Sequence, residues 1–482
     1  MTPTELAYTP AHELAQLIRT KALSPVEVTR ATLARAEASQ PVLNAFVTIA
    51  ADQAMDAARA AEDQVMRGDT LGPLHGVPMT VKDLVNTKGV RTTFCSYIYE
   101  HNVPREDAIA VARLKTAGAI LIGKTTSPEF GHKPLTEAPL FGRTRNAWSA
   151  ERTSGGSSGG AGVAAAAGIA PLAISTDGGG STRIPAAVNG VVGFKKSLGL
   201  VPHESTPDAF GNVSYIDPTT RTVRDCALML EAMAGPDPSD PHSLFMPSTG
   251  FVAAVEGARD LAGVRMAWRP RMGNTAVDTE VEALCRSAFD AFAAFGAQPS
   301  EMADDFEPAE PIFQVLWSAL LNARFRQFVP EFGPRMSETL LRQMDQGANA
   351  TGEEVVKAIF ARTQIFRQIQ SWFTDVDIIV TPTITRTALP IDHDFFGPIT
   401  INGKPAGTVR QSWYPYTHPM NLSGNPAITL PAGFHSDGLP IAIQLIGRRG
   451  EDALVLKAAA LFEQARPWAQ HRPALPELDG RG

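Results

Sequence analysis

Apolar residues recur at helical spacing through residues 10–66, with Leu14, Leu17 and Ile18 in one segment and Val26, Val28, Ala31 and Leu33 in another after Ser24-Pro25. That spacing gathers them on one side of a helix, so the segment predicts packing helices. After Gly68 the pattern shortens into apolar runs broken by Gly and Pro, at 77–85, 119–122 and 171–175. Such runs suit buried strands. A helical stretch at 108–117 lies between two of them, and strands alternating with helices imply an α/β layering around a covered central sheet.

The theme continues toward the C-terminus. Residues 264–268 predict a strand, 278–295 an amphipathic helix ending at Gly296, 376–380 a strand stopped by Thr381-Pro382, and 441–446 a further strand. Residues 300–312 and 386–415 mix acidic, aromatic, Pro and Gly residues without period, which predicts surface loops, either lids and pocket walls or plain insertions. No internal repeat or domain-separating linker is visible.

Composition narrows the class of function. The 482 residues are 44% hydrophobic and 19% charged, with 40 glycines and 37 prolines, the make-up of a globular protein rich in turns. A net charge of −7 offers no basic field for nucleic acid, so a small-molecule substrate is expected. The three cysteines, Cys95, Cys226 and Cys285, are odd in number and far apart, fitting neither a disulfide framework nor a zinc site. The N-terminus lacks the order of a signal peptide, and the apolar run at 160–174 is too short to span a membrane. A cytoplasmic protein is the expectation.

Glycine-rich strings at three places are candidates for chemistry. Gly118-Ala-Ile-Leu-Ile-Gly123-Lys124-Thr125 matches a phosphate-loop string, but its aliphatic middle reads as a strand and Gly118 as the cap of the preceding helix. Gly155-Gly156-Ser157-Ser158-Gly159 contains G-x-S-x-G, yet polar residues precede it where a hydrolase elbow needs a buried strand. The Ala/Gly run after it reads as a buried helix, so this loop feeds a helix N-terminus into the interior. In Asp177-Gly178-Gly179-Gly180-Ser181-Thr-Arg183 a strand leads into a turn able to aim several N–H groups at one point beside Ser181. Asp177 and Arg183 either pair across that turn or sit solvated at its edges.

A serine hydroxyl needs a proton acceptor. None of the ten histidines falls in these loops, and no S-x-x-K string occurs. Lys82 sits inside the apolar run 77–85, where desolvation favours its neutral, basic form. The alternatives are a salt bridge with Asp83 or a side chain that snorkels to water.

Taken together, Lys82, the Gly155–Gly160 loop and the Asp177–Arg183 turn resemble the amidase signature family. The likeness runs through Leu74-His-Gly-Val-Pro78, Gly123-Lys-Thr125 with Pro128-Glu-Phe130-Gly131, Thr222-Val-Arg-Asp225, Gly424-Asn-Pro-Ala427, and Gly438-Leu-Pro440 with Gln444. The resemblance implies that Ser181 is the acylated nucleophile, Ser157 a bridging serine held by a cis peptide, and Lys82 the final proton acceptor. It implies an oxyanion cradle from the N–H groups of Gly178, Gly179, Gly180 and Ser181, with Phe130 and Gly131 beside the scissile group. Ser158 supports the relay, and the cycle calls for no metal or cofactor.

The implied architecture is one large α/β domain with a mixed central sheet between helical layers, residues 1–66 forming a helical segment packed on 67–475. Many relatives dimerise, making a homodimer an expectation. Gly178, Thr182, Lys195-Lys196-Ser197 and Asp217-Pro-Thr-Thr220 depart from the family's commoner residues, which bears on substrate choice. Phe130, Phe210, Tyr215, Trp317 and Trp413 are candidates for an apolar pocket or for core packing. The readings are an amidase for a small amide, with an ester, carbamate or hydrazide as further substrates, the amidase subunit of a tRNA-dependent amidotransferase, or an NTP-binding protein using Gly118–Thr125.

Overall fold

The computed structural model describes residues 1–303 and 305–479. Eleven strands form one mixed sheet: β1 (Phe46–Ile49), β2 (Pro78–Lys82), β3 (Ile120–Thr125), β4 (Leu172–Asp177), β5 (Val192–Lys195), β6 (Tyr215–Thr220), β7 (Arg265–Trp268), β8 (Gln298–Glu301), β9 (Ile378–Pro382), β10 (Ala427–Phe434) and β11 (Pro440–Gly447). Their order is β1-β3-β2-β4-β6-β5-β10-β11-β9-β7-β8. The trio β3, β2 and β4 runs parallel, as do β9, β7 and β8, while the middle of the sheet is antiparallel. Every residue of β2, β3, β4, β5, β6, β9 and β11 is buried, the signature of a sheet covered by helices on both faces.

The strands and helices expected from the pattern form within a few residues of their predicted limits. The helix Thr279–Asp290 tightens into a 3-10 turn before Gly296, whose φ of 82° ends it. Three regions depart from expectation. The segment 1–66 is not helical throughout, because Phe46–Ile49 leaves the helices and pairs antiparallel with β3 as an edge strand. Asp225 also anchors the segment, its carboxylate accepting the N–H groups of Ala11 and His12 at 2.9 and 3.0 Å and capping the helix Ala11–Arg19.

Within 300–312, of which residue 304 lies outside the described residues, stand the end of edge strand β8 and the start of the helix Glu310–Phe325. Residues 386–415 are not a plain surface loop either. They carry a hairpin, Pro398–Ile401 against Lys404–Thr408, whose Ile399 and Ile401 join Val409, Trp413 and Tyr414 in a buried cluster. The first strand's side chains alternate exposed and buried, and Asn402 and Gly403 make the turn at positive φ.

The phosphate-loop string is a strand. Gly118 lies past the helix Ile109–Thr116 at φ 97°, Ile120–Thr125 is β3, and Lys124 is buried with its Nζ bonded to the Val85 carbonyl and to Thr87 Oγ1. No backbone cradle for a phosphate exists there. Among the described residues no helix is long and apolar enough to cross a membrane.

Candidate active site

Because β2 and β4 are parallel neighbours, Lys82 at the end of one and Thr176-Asp177 at the end of the other emerge on the same rim of the sheet. The helix Gly159–Ala166 starts at that rim and is wholly buried. Its glycines are steric: a Cβ on Gly160 would lie 2.5 Å from the Ala45 carbonyl oxygen and the Thr126 nitrogen. This close approach brings Ser157 and Ser158, just before the helix, against Lys82.

Lys82 Nζ lies 2.7 Å from Ser157 Oγ, 2.8 Å from Ser158 Oγ and 2.8 Å from Thr176 Oγ1. Among the described residues no carboxylate pairs with it. Asp83 points to the opposite face, as strand alternation requires, and accepts the Thr93 and Cys95 N–H groups at 3.0 and 3.2 Å. The lysine is fully buried, so neither the Asp83 salt bridge nor the snorkelling alternative is realised. Desolvation lowers its pKa to about 7, against a smaller opposing pull from Cys95, Asp177 and Asp217. Ser158 gives its own hydrogen to the Thr176 carbonyl at 3.0 Å, so toward Lys82 it acts as an acceptor.

The Ser181 turn is built around Asp177. Its carboxylate accepts the Gly180 N–H at 2.6 Å, the Thr182 N–H at 3.1 Å, Arg183 Nε and Nη2 at 3.0 Å each, and Asn421 Nδ2 at 2.9 Å. The pairing of Asp177 with Arg183 is therefore real and fully buried. Burial alone would raise the Asp177 pKa, but Arg183 and Asn421 bring it down to about 2. Arg183 reaches on to Gln444 Oε1 and Asn421 Oδ1, each at 2.7 Å.

This arrangement corrects one expectation. The Gly180 N–H is turned into the Asp177 carboxylate and is not free for an oxyanion, whereas the N–H groups of Gly178, Gly179 and Ser181 carry no such bond among the described residues. The two serine loops are joined directly, Ser158 N–H donating to the Ser181 carbonyl at 3.2 Å. The peptide between Gly156 and Ser157 is cis.

A roof of aromatic residues covers the turn. Phe313 and Trp317, stacked at 5.7 Å on the helix Glu310–Phe325, pack over Gly179 and Gly178. A narrow pocket between roof and turn is lined by Gly131, Gly179, Ser181, Phe313, Trp317 and Arg410. Gly131 faces Ser157 Oγ, which a Cβ there would approach to 3.2 Å, and Phe130, at φ 52°, stacks on Phe325 at 3.9 Å. Of the other aromatic candidates, Trp413 and Tyr215 are packed in the interior and Phe210 is 80% exposed, so only Trp317 lines this pocket. A larger apolar groove beside Leu6, Leu14 and Val28 holds none of these groups, so chemistry rather than size locates the site.

Sequence reasoning missed Thr176, Asn421, Phe313 and Arg410. A threonine in a strand and an asparagine in a short helix carry no signal of their own; Asn421 stands three residues before the Gly424-Asn-Pro-Ala427 landmark.

A lysine among hydroxyls, two serines on glycine loops and a turn of free N–H groups define a site suited to acyl transfer. The chain belongs to the amidase signature family, with residues 27–456 matching Amidase. It is 38% identical over 477 residues to the acylamidase of Rhodococcus erythropolis, covering 98% of this chain and 99% of that one. It is 36% identical to a glutamyl-tRNA(Gln) amidotransferase subunit from Roseiflexus sp. (strain RS-1), covering 94% of this chain and 96% of the relative. The crystal structure of a bacterial aryl acylamidase of the same family superposes with a TM-score of 0.91 at 30% identity, covering 98% of this chain and 99% of the other. The protein is an amide-hydrolysing enzyme.

Proposed function

We propose that the chain is an acylamidase for small amides in which Ser181 is the nucleophile, Ser157 the proton relay and Lys82 the base. The observation that carries this reading is the set of hydroxyls around Lys82 Nζ. A neutral amine has two hydrogens and one lone pair. With its hydrogens given to Ser158 and Thr176, the lone pair faces Ser157.

Attack by Ser181 Oγ on the amide carbon moves the Ser181 proton to Ser157 Oγ, and the Ser157 proton to Lys82 Nζ. The negative oxygen of the tetrahedral species is held by the N–H groups of Gly178, Gly179 and Ser181. As the C–N bond breaks, the departing nitrogen takes a proton from Ser157, which Lys82 replaces. Water then attacks the acyl-Ser181 ester through the same relay, releasing the acid and restoring the Ser181 hydroxyl.

The test is hydrolysis of a simple anilide by purified Lys82→Ala protein. Turnover equal to that of the wild type would eliminate this mechanism. A second reading, the amidase subunit of an amidotransferase, is favoured by the 36% identity to the Roseiflexus protein. The acidic balance counts against a tRNA-bound assembly. Purification from the native host decides: a heteromeric complex with glutaminase activity would select the second reading, and an enzyme free of other subunits the first.

A further inference from the structure

Arg410 is only 5% exposed, and it lines the same narrow pocket as Ser181 and Gly179. Its guanidinium donates from Nη2 to Gln343 Oε1 at 2.9 Å, and stands 5.4 Å from the Phe313 ring centre and 5.5 Å from that of Phe395. No carboxylate among the described residues forms an ion pair with it. The other cations beside the serines and the pocket have partners of their own: Arg183 has Asp177, Lys133 has Glu137 at 2.7 Å, and Lys82 has three hydroxyls.

The neighbours do not supply the missing charge. His132 is held neutral by burial, with Lys133 and Arg410 adding to the effect, and His418, lowered to about 3 by burial and by Arg410, is neutral as well. Glu310, whose pKa burial raises and Arg410 lowers, makes no ion pair with the guanidinium among the described residues. An arginine keeps its charge at any ordinary pH, and a buried charge with no partner is costly. Held beside two rings and one amide, Arg410 lines the pocket with its Nε and Nη1 donors given to no protein partner among the described residues.

We propose that Arg410 is a specificity residue that pairs with a carboxylate carried by the substrate, so that the preferred substrates are anionic amides. The inference rests on the acyl-serine reading only in taking this pocket as the substrate's. Binding supplies the missing anion, and the aromatic walls exclude the water that would otherwise weaken the pair.

The test uses two matched sets of anilides. Adipic acid monoanilide against hexananilide places the carboxylate on the acyl side, and N-hexanoyl-4-aminobenzoate against hexananilide places it on the amine side. Binding to full-length Ser181→Ala protein is measured by calorimetry, with and without Arg410→Gln, and hydrolysis by the Ser181 enzyme is followed in parallel. The expected result is at least about tenfold tighter binding of one of the two carboxylates than of hexananilide, a ratio that Arg410→Gln reduces to within about twofold and Arg410→Lys partly restores. Equal binding of charged and neutral compounds, or a preference that survives Arg410→Gln in a protein folded by circular dichroism, would overturn the proposal. If the binding preference appears while neither compound is hydrolysed, the anion site stands and the catalytic assignment falls.

Discussion

Asp177 Oδ1 accepts the N–H of Gly180 at 2.6 Å, so the last glycine of the run points back into the protein while the N–H groups on either side of it carry no such bond among the described residues. The same carboxylate is locked to Arg183, which makes the turn that presents Ser181 a part of the buried ion-pair network.

Removing one member of that network leaves a buried charge unmatched. Asp177→Asn is expected to destabilise the fold by about 3 kcal/mol at neutral pH and to abolish turnover. With a folded pKa of about 2 against an ordinary 3.8, the ionised form stabilises the fold above about pH 4. That share, about 2 kcal/mol, is lost as pH falls from 4 toward 2. Urea unfolding of both proteins across this range checks it: their stability difference narrows with acid, and a constant difference would refute the linkage.

Lys82 must be neutral to take a proton. With its pKa lowered to about 7 by burial, activity rises as pH increases through about 7 and levels off above it. A pH profile of kcat/KM on a neutral anilide reads the limb directly. Lys82→Ala is expected to lose at least about 1,000-fold in kcat/KM and the limb with it.

Labelling separates the serines. A fluorophosphonate probe followed by peptide mapping is expected to place one adduct on Ser181 and none on Ser157, with no labelling in Ser181→Ala. An adduct on Ser157 would reverse the two roles.

Two glycines of the turn tolerate no side chain. Gly180 has φ 133° and faces Thr417, and a Cβ on Gly179 would sit 2.7 Å from Phe313 Cζ. Gly180→Ala and Gly179→Ala are each expected to cost about 1–3 kcal/mol and most of the activity. Gly352→Ala, where a Cβ meets nothing within 4 Å, should stay within about 0.5 kcal/mol of the parent in thermal unfolding.

Lys82 is legible in the sequence because a charge inside an apolar run has few bland explanations, and Ser181 because three glycines before a serine leave a strand with nothing but a turn to make. The string of glycines cannot say which N–H the neighbouring carboxylate claims, so the family resemblance, which implies Gly180 in the cradle, goes uncorrected until the turn is seen. The helical start of the chain hides β1, since four residues of strand pattern at Phe46–Ile49 are easily absorbed into flanking helices. The hairpin at 398–408 has a signal in Asn402-Gly403 between alternating residues, a turn pair whose backbone twist matches a hairpin. Arg410 gives none, because an arginine in a polar stretch is ordinary until its neighbours are known.

The residues assigned to bond breaking lie on the sheet rim and its two glycine loops, while Phe313, Trp317 and Arg410 come from later stretches that touch the pocket only from above. A lineage could therefore exchange one diet for another by altering the ceiling alone. The relay beneath would be inherited intact, and relatives that share its machinery need share no meal.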